Sequence, residues 1–288
     1  MFLPRKIVEE KLLRILAEDA GVGDVTTSLL IPVDMNVEAS VIAKETGVVA
    51  GVEEAQILLR SLGIEVENSL DDGTKVKPKQ TVLKMHGDAR TILTAERTVL
   101  NLLARMSGIA SATRNLVNQL RKARIKVRVA CTRKTAPGLI YFDKKAVQIG
   151  GGDTHRLHLD DMILIKDNHL AIAGAVEQAV RKAKENASLS KKIEVEVTRI
   201  DDVLPAVKAG ADIVMLDNFS PQQIRKAIEL MKTEKCYGKV LLEASGGITA
   251  KNFMKFASTG VDLVSLGELT QSSRALNMSL EIDVKKKG

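Results

Sequence analysis

A chain of 288 residues, 45% hydrophobic and 27% charged, is long enough for a full α/β barrel or for two ordinary domains, and has the make-up of a soluble globular enzyme. Aromatic residues reach only 2%, without tryptophan, so the core must be aliphatic, which argues against a stacking platform for single-stranded nucleic acid. The net charge of +7 leaves two readings open, an anionic partner or a lysine-rich solvated surface such as the run Lys285, Lys286, Lys287.

In chain order, Val8, Leu12, Ile15 and Leu16 share one face of a helix from Ile7 to Asp19, which Gly21 stops. Charges interrupt this segment too often for a signal peptide. VEASVIAKETGVVAG then alternates as strands do, with turns at Gly47 and Gly51. DDGTKVKPKQTVLKMHGDAR repeats that pattern around Gly73, Pro78 and Gly87. A helical stripe runs from Ile92 through Ala95, Val99, Leu102 and Leu103 to Met106, where Ser107-Gly108 is expected to interrupt it. Residues 1–110 thus read as a small mixed α and β unit.

Beyond it the pattern changes. VRVACT, ILIKD, KIEVEV, DIVMLD, VLLEAS and LVSLG are short β-branched runs of the kind buried on both faces. Helical stretches such as SPQQIRKAIELMK separate most of them, which implies parallel strands with crossover helices. No glycine-rich dinucleotide fingerprint follows the first strand, so an α/β barrel over residues 111–272 is favoured over a Rossmann fold, with residues 273–288 as a carboxyl-terminal segment and basic tail. Nowhere is there an apolar run long enough to span a membrane, and Cys131 and Cys236 form no ligand spacing or disulfide framework, which points to a cytoplasmic protein.

The strand ends carry the chemistry. In a barrel all strand carboxyl ends meet at one rim, where active sites lie. Here those ends read Lys166-Asp167, Glu196, Asp217, Ser245 and Gly267. The segment from Thr132 to His169 adds Arg133, Lys134, His155 and Arg156 beside Gly150-Gly151-Gly152, a density of cations suited to a compact polyanion. Zinc on His155 and His158 is disfavoured by Arg156 between them. Glu196 and Asp217 are hard oxygen donors suited to Mg²⁺ or ribose hydroxyls; Glu194 shares their face but lies further from the strand end. Ser245-Gly246-Gly247 and Gly267 resemble a phosphate cradle, since bare glycines admit an anion to backbone N–H groups.

These residues sit in a longer set of motifs. GVGDVTT, AERTVLNLLARMSGIASAT, TRKTAPGL, KKAVQIGGGDTHR, LIKDNH, IEVEV, ADIVMLDNFSP, LEASGGI and GVDLVSLGELTQS follow one another over most of the chain. As a set they resemble quinolinate phosphoribosyltransferase, the carboxylating nicotinate-nucleotide pyrophosphorylase family. The resemblance implies a sandwich domain before an incomplete α/β barrel, assembled as at least a homodimer. It also implies that Thr132, Arg133, Lys134, His155, Arg156 and Lys166 hold quinolinate, with Arg97 reaching in from the partner subunit. Glu196 and Asp217 would serve phosphoribosyl pyrophosphate and Mg²⁺, and Ser245, Gly246, Gly247 and Gly267 its 5′-phosphate. Lys134, Lys166, Glu196 and Asp217 would form the catalytic set. One departure stands out: family members often carry arginine where this chain has Ile140, followed by an unusual Tyr141-Phe142. A molybdenum-associated subfamily shares that loss but departs from LIKDNH, which is intact here. The alternatives are a nicotinate-specific phosphoribosyltransferase, for which the cations are too many, and a basic nucleic-acid-binding protein.

Overall fold

A computed structural model describes residues 3–283, so the Lys285–Lys287 run lies outside the described residues. The order of elements is α1 (Arg5–Ala20), α2 (Val25–Leu30), β1 (Asn36–Ala43), β2 (Gly47–Val48), α3 (Val52–Ser61), β3 (Glu65–Ser69), β4 (Lys75–Val76), β5 (Thr81–Asp88) and α4 (Ala89–Ala123). There follow β6 (Arg128–Cys131), α5 (Ile140–Gly150), β7 (Ile163–Ile165), α6 (Asp167–Ala173), α7 (Val176–Asn186), β8 (Ile193–Val197), α8 (Val203–Ala209) and β9 (Ile213–Asp217). The chain ends with α9 (Pro221–Thr233), β10 (Leu241–Ser245), α10 (Phe253–Ala257), β11 (Leu263–Leu266), α11 (Glu268–Gln271) and β12 (Met278–Asp283). Two compact units result, one of residues 1–114, 148–151 and 273–288, the other of residues 115–147 and 152–272.

In the first unit an antiparallel sheet has the order β12-β1-β5-β3. Val37, Ala39, Val41 and Ala43 of β1 are buried while their alternate neighbours are not, the signature of a sheet covered on one face. Residues after 273 are therefore no mere appendage. Backbone from Met278 to Asp283 pairs with β1, Leu280 opposite Val41, and closes that edge.

Ser107-Gly108 does not interrupt a helix either, because α4 runs straight through it. The small residues serve close approach. Ser107 Oγ accepts from Ala50 N–H at 2.9 Å and Ser111 Oγ from Val48 N–H at 2.8 Å, so two serines one turn apart satisfy alternate residues of an extended segment. A Cβ at Gly108 would stand 2.0 Å from the carbonyl oxygen of Arg274.

The second unit holds six parallel strands in the order β6-β11-β10-β9-β8-β7. Strands β7 to β11 follow one another in sequence and space, joined by helices, and β6 lies beside β11. This is barrel succession with the ends β6 and β7 left unpaired, the expected incomplete barrel. One face of the strands is aliphatic: Val195, Val214, Leu216, Leu242, Ala244 and Val264 are fully or almost fully buried. At the open edge, residues after α5 run along β6; Asp153 N–H bonds Val129 O at 2.7 Å and Cys131 N–H bonds Asp153 O at 3.3 Å.

Candidate active site

The other face of the parallel strands is polar. Because side chains alternate, Leu164 and Lys166 of β7 and its end, Glu194 and Glu196 of β8, Met215 and Asp217 of β9, and Glu243 and Ser245 of β10 form successive layers. A cavity of about 480 Å³ opens at the carboxyl ends, lined by Cys131 to Lys134, His155, Arg156, Leu164, Lys166, Glu196, Met215, Asp217, Asn218, Glu243, Ser245, Gly246, Gly247 and Ser265. It brings together Thr132, Arg133, Lys134, His155, Arg156, Lys166, Glu196, Asp217, Ser245, Gly246 and Gly247 from residues far apart in the chain.

Two expected residues lie elsewhere. Gly267 does not line the cavity; it stands behind the lining, where a Cβ would come 3.3 Å from Lys134 Cδ. Arg97 is exposed on α4 in the first unit. The triple glycine is not a pocket loop. Gly150 ends α5 against α4, a Cβ there would meet Thr113 Cβ at 2.5 Å, and Arg114 holds the carbonyls of Ile149 and Gly150. Ile140 begins α5, and Tyr141-Phe142 is core, the rings meeting edge to face at 5.3 Å.

Arg156 is 8% exposed, and among the described residues its guanidinium pairs with no carboxylate. Burial and then the charge of Arg133 lower its pKa, but a guanidinium remains a cation. A desolvated cation without an anion is costly, which is the local signature of a site built for one. Lys166 Nζ meets Glu196 Oε1 at 2.9 Å, and Asn218 Nδ2 donates to Asp217 Oδ2 at 2.8 Å. His169 Nδ1 accepts the Lys166 N–H at 2.9 Å and so caps α6. Gly246 adopts φ 90°, and a Cβ there would fall 2.3 Å from Asn218 Oδ1, so only glycine fits the turn.

Sequence reasoning missed Glu243, at the floor of the cavity, and Lys144, and ranked Glu194 low. His155 Nε2 lies 3.2 Å from Glu194 and 3.1 Å from Glu243. Lys144, fully buried, donates to the carbonyl oxygens of Thr154 and of Arg156, the latter at 3.1 Å, and burial lowers its pKa. Burial also opposes the imidazolium of His155, yet the hydrogen bonds and charges of the two glutamates outweigh it and carry the group up to about 10. Glu194 is pushed up to about 7, first by burial and then by Glu243, against the pull of His155. His155 Nδ1 accepts the Arg156 N–H at 2.8 Å, and a second ring proton would displace that bond. We therefore place the extra proton on the carboxylates. Among the described residues His155 groups with these glutamates and not with His158, so the paired-histidine zinc motif has no counterpart.

Parallel strands that deliver cations, two oxygen donors and a glycine turn to one mouth define a barrel enzyme acting on a small, anionic, phosphate-bearing substrate. The comparisons make this particular. Residues 24–107 match the amino-terminal domain and residues 109–281 the carboxyl-terminal domain of quinolinate phosphoribosyl transferase, and the chain belongs to that family. It is 47% identical over 264 residues to a probable carboxylating nicotinate-nucleotide pyrophosphorylase of Methanothermobacter thermautotrophicus, covering 92% of this chain and 95% of that one. The human carboxylating nicotinate-nucleotide pyrophosphorylase is 39% identical over 248 residues, 86% of this chain and 83% of its own. The solved nicotinate-nucleotide pyrophosphorylase of Francisella tularensis superposes with a TM-score of 0.88 at 38% identity, covering 98% of each chain.

Proposed function

We propose that the chain transfers the phosphoribosyl group of phosphoribosyl pyrophosphate to quinolinate with loss of CO₂, giving nicotinate mononucleotide and pyrophosphate. The observation that carries this reading is the buried, unpaired Arg156 flanked by Arg133, Lys134 and Lys166 in one cavity. A diacid needs that many cations; the single carboxylate of nicotinate does not. The names of the Methanothermobacter and human relatives, both marked carboxylating, support the same choice. Incubation with each pyridine acid plus phosphoribosyl pyrophosphate and Mg²⁺, reading CO₂ and pyrophosphate, is the test. Faster turnover of nicotinate without CO₂ would sink the assignment.

In this reading the pyridine nitrogen forms the bond to the anomeric carbon as the carbon–oxygen bond to pyrophosphate breaks. CO₂ then leaves the carbon beside the cationic nitrogen, which stabilises the electron pair left behind, and a proton fills that position. No general base is needed, since the attacking nitrogen carries no proton. The protein's part is orientation and charge complementarity. Arg133, Lys134, Arg156 and Lys166 hold the two carboxylates, and the Ser245–Gly247 turn takes the 5′-phosphate.

Mg²⁺ fits the donor set. Lys166 takes one oxygen of Glu196 and Asn218 one of Asp217, which leaves an oxygen of each for an ion or a ribose hydroxyl. When bound with pyrophosphate, the ion neutralises charge on the leaving group. A homodimer with Arg97 of a second copy entering the cavity completes the reading. Val22, Val25, Leu29, Leu30 and Val33, exposed apolar residues close together in sequence, support such an interface. Buried, unpaired Cys131 and Cys236 agree with a reducing, cytoplasmic setting, and no helix among the described residues is long and apolar enough to cross a membrane.

A further inference from the structure

Polar side chains form the floor of the cavity, where a barrel interior is ordinarily filled by branched aliphatic residues. Glu194 and Glu243 have no exposed side-chain surface, and the His155 side chain is 9% exposed. Both carboxylate oxygens of Glu194, and Glu243 Oε1, have no hydrogen-bond partner. Carboxylates so poorly satisfied are expensive to bury, so the arrangement serves something other than stability.

What it holds is the segment at the open edge of the sheet. The His155 ring donates its Nε2–H to Glu243 Oε2 at 3.1 Å, with Glu194 Oε2 3.2 Å away, and Nδ1 accepts the Arg156 N–H at 2.8 Å, so no ring N–H is left for a ligand in the cavity. His155 itself sits at φ 50°, a left-handed conformation that a non-glycine residue keeps only when its surroundings enforce it. Its own N–H is fixed by Asp153 Oδ1 at 2.8 Å, and Lys144 holds the carbonyl that follows, that of Arg156. The main chain of Arg156 is thereby gripped at both ends while its guanidinium faces the cavity unpaired. Below lies a second cavity of about 750 Å³ at the amino ends of the strands, and His155 and Arg156 are walls of both. They form the partition between the two spaces.

We propose that His155, Glu194 and Glu243 form a positioning bridge that aims Arg156 at the carboxylates of the pyridine acid, and that His155 does not itself touch that acid. This rests on the quinolinate reading and deepens it. The bridge ties three parts of the barrel to one point: the edge segment 153–156, β8 and β10. It acts on the acceptor and not on the phosphoribosyl donor, whose oxygen donors and glycine turn lie at the strand ends.

The test is calorimetric titration of the full chain with quinolinate and, separately, with phosphoribosyl pyrophosphate, beside melting temperatures. The variants are His155→Ala, His155→Asn, Glu243→Gln and Glu243→Met. His155→Ala is expected to weaken quinolinate about tenfold or more and to leave the donor unchanged, the loss of one aligned charge-assisted hydrogen bond. Asparagine keeps an acceptor near the Nδ1 position and should restore part of that loss. The glutamate variants decide between mechanisms. Glutamine keeps an oxygen that accepts the His155 Nε2–H and removes only charge, which by plain electrostatics tightens an anion site; Glu243→Met removes the acceptor as well, and a positioning bridge then weakens quinolinate. Equal or tighter quinolinate binding by Glu243→Met overturns the bridge, and should that variant not fold, His155→Ala is read by the same criterion. Equal losses in alanine and asparagine would put His155 in contact with the acid and overturn the second half. A wild-type chain that binds nicotinate but not quinolinate would sink the functional reading alone, and the same variants titrated with nicotinate then judge the bridge.

Discussion

Replacing Arg156 by lysine keeps a positive charge and removes a shape. The structure makes this substitution unusually clean, because both neighbouring anchors hold the main chain: His155 Nδ1 takes the Arg156 N–H and Lys144 takes its carbonyl. The segment should stay where it is. What is lost is the planar fork, which gives a carboxylate two parallel hydrogen bonds, in exchange for one point charge. One charge-assisted bond contributes roughly 1.5–3 kcal/mol, and about 1.4 kcal/mol is tenfold, so quinolinate affinity should fall between about tenfold and a hundredfold. The upper part of that range is reached if burial beside Arg133 strips the new ammonium of its proton, an effect that scarcely touches a guanidinium. Calorimetry against quinolinate and phosphoribosyl pyrophosphate, with a melting curve for each protein, reads all three quantities. The reasoning fails if both ligands weaken together, which would place Arg156 in the phosphate half or in the scaffold. It also fails if neither changes.

Three further outcomes are expected. Glu196→Ala and Asp217→Ala should each impair use of Mg²⁺ and phosphoribosyl pyrophosphate while calorimetry still shows quinolinate binding; loss of quinolinate binding with folding intact would assign these carboxylates to the other half of the site. Arg97→Ala and Lys166→Ala should each be nearly inactive alone, yet refolding the two together should recover activity at about a quarter of the sites, as two-fold symmetry requires. No recovery with heterodimers present would put both residues in one subunit's pocket. Gly108→Ala should destabilise the fold by about 1–3 kcal/mol in urea melts, because overpacking against the Arg274 carbonyl outweighs alanine's helix preference. A gain in stability would mean that the helix and the carboxyl-terminal segment are not held in close contact.

Most of the cavity was legible because two rules act together: strands that alternate, and a parallel sheet that collects their carboxyl ends. Lys166, Glu196, Asp217 and Ser245 needed no more than that. Signals of smallness were harder to interpret. Serine and glycine in α4 looked like a break, yet they let extended backbone approach the helix, and only the partner segments 48–50 and 274–276 reveal it. Three successive glycines looked like a pocket loop for the same reason. A glycine in sequence announces close approach or unusual φ without saying which, and the element that approaches it is remote in the chain.

The buried glutamates could have been found. Glu194 stands two residues before Glu196, and Glu243 two before Ser245, inside runs otherwise aliphatic. A strand period of two obliges them to face the same interior as the residues at the rim, one layer deeper. Reading only the strand ends ranked them below their neighbours. Their depth is also why they matter electrostatically. Arg133, Lys134, Arg156 and Lys166 repel one another across the cavity, and Arg156 is the one that burial leaves least able to shed that cost to water. Glu196 offsets it at Lys166; a rim carboxylate on Arg156 would compete with the substrate's own carboxylates for the same hydrogen bonds. Placed one layer down and joined to the site through the imidazole of His155 and the backbone of Arg156, Glu194 and Glu243 fix the geometry while leaving the guanidinium free. Carboxylates beneath the rim thus let Arg156 stay oriented while its guanidinium is left for the acid.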